Sequence, residues 1–222
     1  MKRMILTVCA ITICALMVSC NGDRDQTRGE LTGHEFVDLG LPSGTKWASA
    51  NIGTDKDNDF GDYIAWGEVV MKNNFCWDTY RMNDKDSITK YSEADGLKSL
   101  QPIDDIATIS WGKGWTIPTQ KQFEELKRCC TWEWVEDDDV CGYNVKGQNG
   151  ASIFLPAAGY YRKDKQKSLN EEGGYWTSNL SSDSYTMALG LIFDDGDIDS
   201  EEYDRCYGQS IRPVCMATIK EK

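Results

Sequence analysis

The stretch Tyr175–Phe193, YWTSNLSSDSYTMALGLIF, consists of two runs rich in aromatic and aliphatic residues on either side of the polar turn 181–184. The second run carries apolar side chains at every other position, at Met187, Leu189, Leu191 and Phe193. This alternation predicts a strand with one buried face. Two strands joined by a short polar turn predict an antiparallel hairpin, and a turn at 194–197 and a strand at 210–214 continue the pattern.

Short strands and one helix are also predicted before this hairpin. The helix covers about 120–130, where Thr119 and Gln122 form the T-x-x-Q capping box of a helix start. Further strands are predicted at 35–41, 46–52, 63–68, 131–135, 140–145 and 151–157. Residues 70–101 are polar and weakly periodic, which predicts an irregular segment. Strand runs with a separate helix are typical of the α+β class with an antiparallel sheet.

The composition favours one folded domain and argues against several classes of protein. Of the 222 residues, 40% are hydrophobic and 27% are charged, as in a globular chain. Lys and Arg number 24 against 36 Asp and Glu, and the resulting charge of -12 argues against nucleic acid as a partner. The single histidine, His34, excludes zinc sites built from several histidines and leaves a Ser-His-Asp triad one candidate base.

The N-terminus predicts export and a lipid anchor. Two cations precede an uncharged apolar run over 4–18, which predicts a secretory signal peptide of residues 1–19. The end of this run, LMVSC at 16–20, resembles a bacterial lipobox, which implies that Cys20 is lipidated. The polar segment 20–34 is expected to be a flexible tether. The predicted location is the cell envelope, as an outer-membrane lipoprotein exposed at the surface that contacts the membrane through its lipid anchor only.

Six phrases in order along the chain carry a family resemblance. They are FVDLGLPSGTKWA at 36–48, AWGE at 65–68, GWTIPT at 114–119, FLPAAGY at 154–160, GYWTS at 174–178 and SIRPV at 210–214. Together they resemble the Fibrobacter succinogenes major paralogous domain, found in exported lipoproteins of Bacteroides-type bacteria. The resemblance implies one domain over 35–218 with a C-type-lectin-like fold, which has antiparallel sheets, one or two short helices and long loops.

Six cysteines follow Cys20, and an even number in an oxidising compartment predicts structural disulfides. They are Cys76, Cys129, Cys130, Cys141, Cys206 and Cys215. Two bridges are predicted among them. One joins Cys129 or Cys130 to Cys141, and the other joins Cys206 to Cys215.

The same fold occurs in formylglycine-generating enzymes, which oxidise a substrate cysteine with a cysteine pair near the C-terminus. This resemblance implies an alternative function, an oxidase in which Cys206 and Cys215 form that pair. The position of Cys215 after the strand at 210–214, instead of upstream in a substrate cleft, argues against it. No catalytic residues are therefore assigned, and enzyme activity is not expected.

Neither a metal nor another cofactor is expected. The acidic loop at 55–59 has the alternate spacing of an EF-hand start, but Phe60 and Trp66 stand where Gly and Glu are needed. The loop at 195–199 lacks the same two residues. Adjacent glutamates such as 201–202 point apart, whereas glycoside cleavage needs two carboxyls that face each other.

The remaining candidate site is the surface predicted from segments 179–185 and 194–203. Both segments contain small polar residues and Tyr, the residue types of antibody paratopes, which form adaptable hydrogen bonds at low entropic cost. In some C-type-lectin-like proteins the variable ligand-binding positions are bracketed by phrases similar to YWTS at 175–178 and a strand containing an arginine such as Arg212. The candidate ligand-binding residues are Asn179, Asp183, Tyr185, Asp194, Asp195, Asp197, Asp199 and Tyr203.

The predicted function is that of a non-catalytic, adhesin-like domain that binds a protein or glycan ligand. Three alternatives stay open beside it. The two segments can be solvated hairpin loops without a ligand, the chain can be an oxidase of the formylglycine-generating type, or it can be a structural subunit at a fimbrial tip.

Overall fold

The computed structural model of the chain describes residues 26–85, 87–136 and 139–218. Two α-helices are present in this part of the chain, α1 (Ile106–Trp111) and α2 (Gln120–Cys129), with 3-10 turns at Trp77–Thr79 and Pro102–Asp104. The strands are, in chain order, β1 (Arg28–Leu31), β2 (His34–Val37), β3 (Lys46–Ala48), β4 (Ile64–Ala65), β5 (Asn83–Asp84), β6 (Ser87–Ile88), β7 (Trp115–Thr116), β8 (Thr131–Val135), β9 (Gly142–Lys146), β10 (Ser152–Pro156), β11 (Tyr160–Arg162), β12 (Lys165–Lys167), β13 (Gly173–Leu180), β14 (Met187–Phe193), β15 (Ile198–Asp204), β16 (Gly208–Gln209) and β17 (Val214–Cys215).

These strands form several small antiparallel sheets. The largest has the order β1-β2-β3-β17-β7, so the chain's last strand lies between two early ones. Sheets of order β10-β9-β8, β12-β11-β16-β4 and β13-β14-β15 accompany it, together with the pair β5-β6. Every pairing between these strands is antiparallel. The expected α+β class with antiparallel sheets is confirmed.

Several local predictions hold. The capping box of α2 is present, because the Thr119 side chain accepts from the Gln122 backbone N–H while the Gln122 side chain reaches the Thr119 backbone. β8, β9 and β10 follow as a meander in the predicted order. In its described residues, segment 70–101 contains only a 3-10 turn and two two-residue strands, in line with the predicted irregular structure.

Strand β13 lies between two hydrophobic cores. Tyr175 belongs to the core that includes Trp47, Phe123 and Phe193. Its neighbour Trp176 belongs to the other core, which is built around further tryptophans and aliphatic residues. Because successive side chains of a strand point to opposite faces, β13 is buried on both sides. No helix among the described residues is long and apolar enough to span a membrane.

The folded region begins earlier than predicted. β1 lies inside the segment 20–34 that the sequence predicts to be a tether, and it pairs with β2 along its whole length. His34, the last residue of the predicted tether, stacks on Trp111 with ring centroids 4.0 Å apart. The predicted signal peptide 1–19 and Cys20 lie outside the described residues.

The C-terminal third also differs from its prediction. Residues 198–204, assigned to a loop surface, form β15, which pairs with all of β14. The acidic residues of this segment favour a loop in isolation, but β15 is the edge strand of its sheet, a position where charged side chains are common. The predicted strand at 210–214 does not form as one strand. β16 ends just before it in one sheet, and β17 begins at its last residue, Val214, in another.

The two predicted disulfides are not formed. No sulfur–sulfur bond joins the described cysteines. β8 and β9 pair so that Thr131 lies opposite Lys146 and Val135 opposite Gly142, which places Cys130 and Cys141 at opposite ends of the hairpin. A five-residue strand spans roughly 15 Å, and a disulfide needs Cα atoms within about 7 Å.

Cys206 and Cys215 also lie on separate elements. Cys215 is paired with Lys46 and Trp115 inside the five-stranded sheet. Cys206 follows Arg205, whose carbonyl accepts from the backbone N–H of Trp66 beside a different sheet.

Candidate functional site

The structure divides the predicted ligand-binding residues into two groups. The turn 181–186 joins β13 to β14 and the turn 194–197 joins β14 to β15, so the two turns lie at opposite ends of β14. At about 3.3 Å per residue, the seven residues of β14 separate them by roughly 20 Å. The two turns therefore do not form one continuous loop surface.

At the first end the candidate residues make contacts within the protein. Asn179 accepts from the backbone N–H of Gln120 at the start of α2, at 2.9 Å. The ammonium group of Lys98 lies 3.9 Å from the ring centroid of Tyr185. Asp183 is exposed, and its backbone N–H donates to the hydroxyl of Ser181 at 3.0 Å. Asn179 and Tyr185 thus position neighbouring segments of the fold.

The second end is an exposed acidic turn. Asp194, Asp195 and Asp197 are exposed, and the backbone N–H of Asp197 donates to Oδ1 of Asp194 at 3.1 Å. Asp199 lies 3.9 Å from the ammonium group of Lys127 on α2. In the described ranges no three His, Cys, Asp or Glu side chains converge to hold a metal ion.

Tyr203 has different surroundings, on a face that the sheet β13-β14-β15 shares with β11 and β16. We call this surface the tyrosine face. Its members are Tyr160, Glu172, Glu201, Tyr203, Tyr207 and Gln209.

Two glycines make room for the centre of the tyrosine face. Trp176, Gly190 and Glu201 lie side by side in register across the three strands. The side-chain amide of Gln209 lies over this part of the sheet. Its Oε1 is 3.0 Å from the position that a Cβ on Gly190 would take, and 3.4 Å from the corresponding position on Gly174. A side chain at either glycine would therefore crowd the amide.

The Gln209 amide has no hydrogen-bond partner. Only 1% of the Gln209 surface is exposed, and neither Nε2 nor Oε1 is hydrogen-bonded within the described part of the chain. A buried amide without a partner costs free energy, and buried polar atoms in proteins are nearly always bonded to protein, water or a ligand. The tyrosine face thus contains a donor and an acceptor that no described residue satisfies.

The tyrosine rings form a partly exposed aromatic wall around this amide. Tyr160 and Tyr207 stack at 5.8 Å between ring centroids, and Tyr160 is 6.3 Å from Tyr203. The Tyr203 ring also contacts the buried Trp176, at 6.5 Å. Arg162 lies over the outer side of Tyr207, at 5.5 Å from the ring centroid.

Two glutamates give the tyrosine face a negative charge. Burial raises the pKa of Glu172, and the nearby carboxylates of Glu201 and Asp194 raise it further. The Tyr203 hydroxyl donates to Glu201 at 3.1 Å. Burial raises the pKa of Tyr203, and Glu172 and Glu201 add to this effect. Among the ion pairs of the described residues, none involves Glu172 or Glu201.

Sequence reasoning identified one residue of the tyrosine face, Tyr203. The others lie on β11, β15 and β16 or just before β13 and β16, and these segments meet only through long-range pairing such as Tyr161 with Gly208. One local signal was available. Glu201 and Tyr203 are two residues apart, so in a strand they share a face, but 194–203 was treated as a loop.

Comparison with known proteins gives one family match. Residues 132–214 match a family described as a domain of unknown function, DUF8237. All six residues of the tyrosine face lie within the matched segment. No curated protein matches the chain. No solved structure matches it either.

Proposed function

We propose that this chain is an outer-membrane lipoprotein of the cell envelope whose folded domain binds a protein or glycan ligand without catalysis. The lipobox-like end of the apolar N-terminal run supports the anchor at Cys20. The tyrosine face supports the binding role. It combines partly exposed aromatic rings with two carboxylates and a buried amide; among the described residues the carboxylates form no ion pair and the amide has no hydrogen-bond partner. Such groups orient ligands in binding sites.

The proposal includes a C-type-lectin-like fold for the domain. Small antiparallel sheets, two short helices and the long irregular segment 70–101 agree with what a C-type-lectin-like domain would have. The phrases GYWTS and SIRPV, which enclose the predicted ligand-binding segments in the sequence, also meet in the structure. Tyr175 of the first forms a bridge with Ser210 of the second beside the tyrosine face.

The buried thiols argue against the oxidase alternative. A reactive cysteine needs an accessible thiolate, and this requires a lowered pKa. Burial raises the pKa of Cys206 to about 12 and also raises the pKa of Cys215. Both residues are almost wholly enclosed. At neutral pH both thiols are therefore protonated and closed to a substrate.

The anchor is testable by metabolic labelling with a lipid precursor. We expect the wild-type chain to carry the label and Cys20→Ala to lose it, because acylation requires the Cys20 thiol. Cys14→Ala is the matched control, since it removes a thiol from the same apolar segment, and it is expected to keep the label. Equal labelling of the Cys20 variant and the wild type contradicts the anchor.

Ligand binding is testable with the purified chain from residue 21, which contains every described element. We expect a glycan array or a pull-down from host proteins to yield a ligand. Tyr203→Leu, which keeps apolar contact with Trp176, is expected to weaken its binding by about tenfold or more because an aromatic anchor is lost.

Tyr185→Leu serves as the control for this test. Tyr185 lies at the 181–186 turn, outside the tyrosine face, and its substitution is expected to change binding by less than about twofold. Melting temperatures of both variants are measured alongside. Failure to retain any ligand contradicts the binding function, and equal loss in both variants contradicts the tyrosine face as its site.

A further inference from the structure

The carboxylates of the tyrosine face lack a cation. Glu172 is half-buried and Glu201 is exposed beside it, and neither has an ion-pair partner among the described residues. Two nearby like charges disfavour each other's ionised form, and an opposite charge between them relieves this repulsion. The site is therefore complementary to a cationic group.

The aromatic wall restricts the kind of cation. The ring centroid of Tyr160 lies 6.3 Å from that of Tyr203 and 5.8 Å from that of Tyr207. A planar guanidinium stacks on such rings and donates several hydrogen bonds in its own plane, whereas an ammonium group is a compact charge that keeps its water more firmly. The unpartnered Oε1 of Gln209 supplies one further acceptor for such a donor.

The chain contains an internal example of this chemistry. The guanidinium of Arg205 is buried among three aromatic rings, at 4.8 Å from the centroid of Trp66, 5.3 Å from Tyr80 and 5.7 Å from Tyr91. It donates to the Tyr80 hydroxyl at 3.0 Å and to backbone carbonyls. Rings together with oxygen acceptors therefore suffice to hold an arginine in this fold, and the tyrosine face adds two carboxylates to them.

We propose that the tyrosine face binds an arginine side chain presented by a basic segment of a partner protein. This inference rests on the proposed binding function and names its ligand class. The guanidinium stacks on the exposed side of the Tyr160 and Tyr203 rings, donates to Glu172 and Glu201, and donates to Oε1 of Gln209. Because the amide is closed to solvent, the partly exposed rings of Tyr160 and Tyr203 turn aside to admit the ligand.

The test uses the purified chain from residue 21 and three fluorescent peptides that differ at one residue type. The peptides alternate Gly and Ser with arginine, lysine or citrulline, and citrulline keeps the shape of arginine without its charge. We expect the arginine peptide to bind about threefold or more tighter than the lysine peptide, and about tenfold or more tighter than the citrulline peptide.

Variants of the carboxylates test the site. Glu172→Gln together with Glu201→Gln is expected to weaken binding of the arginine peptide by about tenfold or more. Glu133→Gln with Glu136→Gln is the matched control, because it removes the same charge from exposed positions outside the tyrosine face, and it is expected to change binding by less than about twofold. The side-chain amide resonance of Gln209 is expected to shift on addition of the arginine peptide and not of the citrulline peptide.

Two results overturn the inference. One is equal affinity for the three peptides, and the other is equal weakening by the two double variants, which would mean attraction by overall charge only. If the array or pull-down yields a ligand whose binding depends on Tyr203 while the arginine peptide fails, the inference is wrong and the binding function stands. If neither the screens nor the peptides yield binding, both are contradicted.

Discussion

Replacing Arg212 with alanine is expected to lower the free energy of unfolding by about 4 kcal/mol, because it leaves several buried acceptors without a donor. Arg212 is fully buried, and its guanidinium donates to Oδ1 of Asn51 at 2.8 Å. It also donates to the backbone carbonyls of Ala48, Ser49 and Phe154, at 3.2, 2.8 and 2.8 Å. One side chain thus joins the segment after β3 to β10.

The size of this effect follows from the surroundings of the guanidinium. None of its four acceptors is a carboxylate: three are backbone carbonyls and the fourth is the side-chain oxygen of Asn51. Burial lowers the pKa of Arg212 to about 10, which still leaves it charged at neutral pH. Each orphaned buried acceptor costs about 1–3 kcal/mol, and the loss of packing adds to this cost.

Urea unfolding at equilibrium measures this prediction. Arg128→Ala is the control, because Arg128 is exposed on α2, and it is expected to change the unfolding free energy by less than about 0.5 kcal/mol. Arg212→Lys tests whether the forked shape of the guanidinium matters, because a single ammonium group cannot reach all four acceptors. Its loss of unfolding free energy is expected to lie between those of the two alanine variants. Equal stability of Arg212→Ala and Arg128→Ala contradicts the role of Arg212.

Gly159→Ala is expected to lower the free energy of unfolding by about 3 kcal/mol and to weaken ligand binding at the tyrosine face. Gly159 has φ +61°, and a Cβ there would lie 1.9 Å from the carbonyl oxygen of Lys167. Its backbone N–H donates to the carbonyl of Glu172 at 2.6 Å. The overlap is with backbone and cannot be relieved by rotation of a side chain, so Gly159 must move away from the 167–169 segment, and this disturbs its hydrogen bond with Glu172.

Gly150→Ala is the matched control for this prediction. Gly150 has φ +88°, also in the left-handed region, but a Cβ there would meet no atom within 4 Å. Its cost is therefore only the conformational one, about 1 kcal/mol. Urea unfolding of both variants separates overlap from backbone strain, and equal losses contradict the close approach of Gly159 to the 167–169 segment.

Local features of the fold could be predicted from the sequence. The start of α2 follows from Thr119 and Gln122, whose side chains and backbone satisfy each other within one turn. The meander β8-β9-β10 follows from apolar runs between polar turns. These signals involve residues close in sequence, so no knowledge of the remaining chain is needed to read them.

Other elements had no reliable local signal. β1 is polar, and it forms a strand because its backbone pairs with β2 at the edge of the five-stranded sheet. β15 carries four acidic residues, and only its full pairing with β14 makes it a strand. The disulfide predictions failed for the same reason, because spacing along the chain says nothing about which end of a hairpin a cysteine occupies.

The amino-acid sequence by itself determined the acidic balance, the apolar N-terminal run, the capped helix and the short strands of an antiparallel α+β chain. Each of these depends on composition or on neighbours a few residues apart. Only the tertiary structure decided that the turns 181–186 and 194–197 lie at opposite ends of β14, and that Gln209 lies beside Gly174 and Gly190. Pairing between strands far apart in sequence is set by the burial of both faces of β13, and no single segment contains that information.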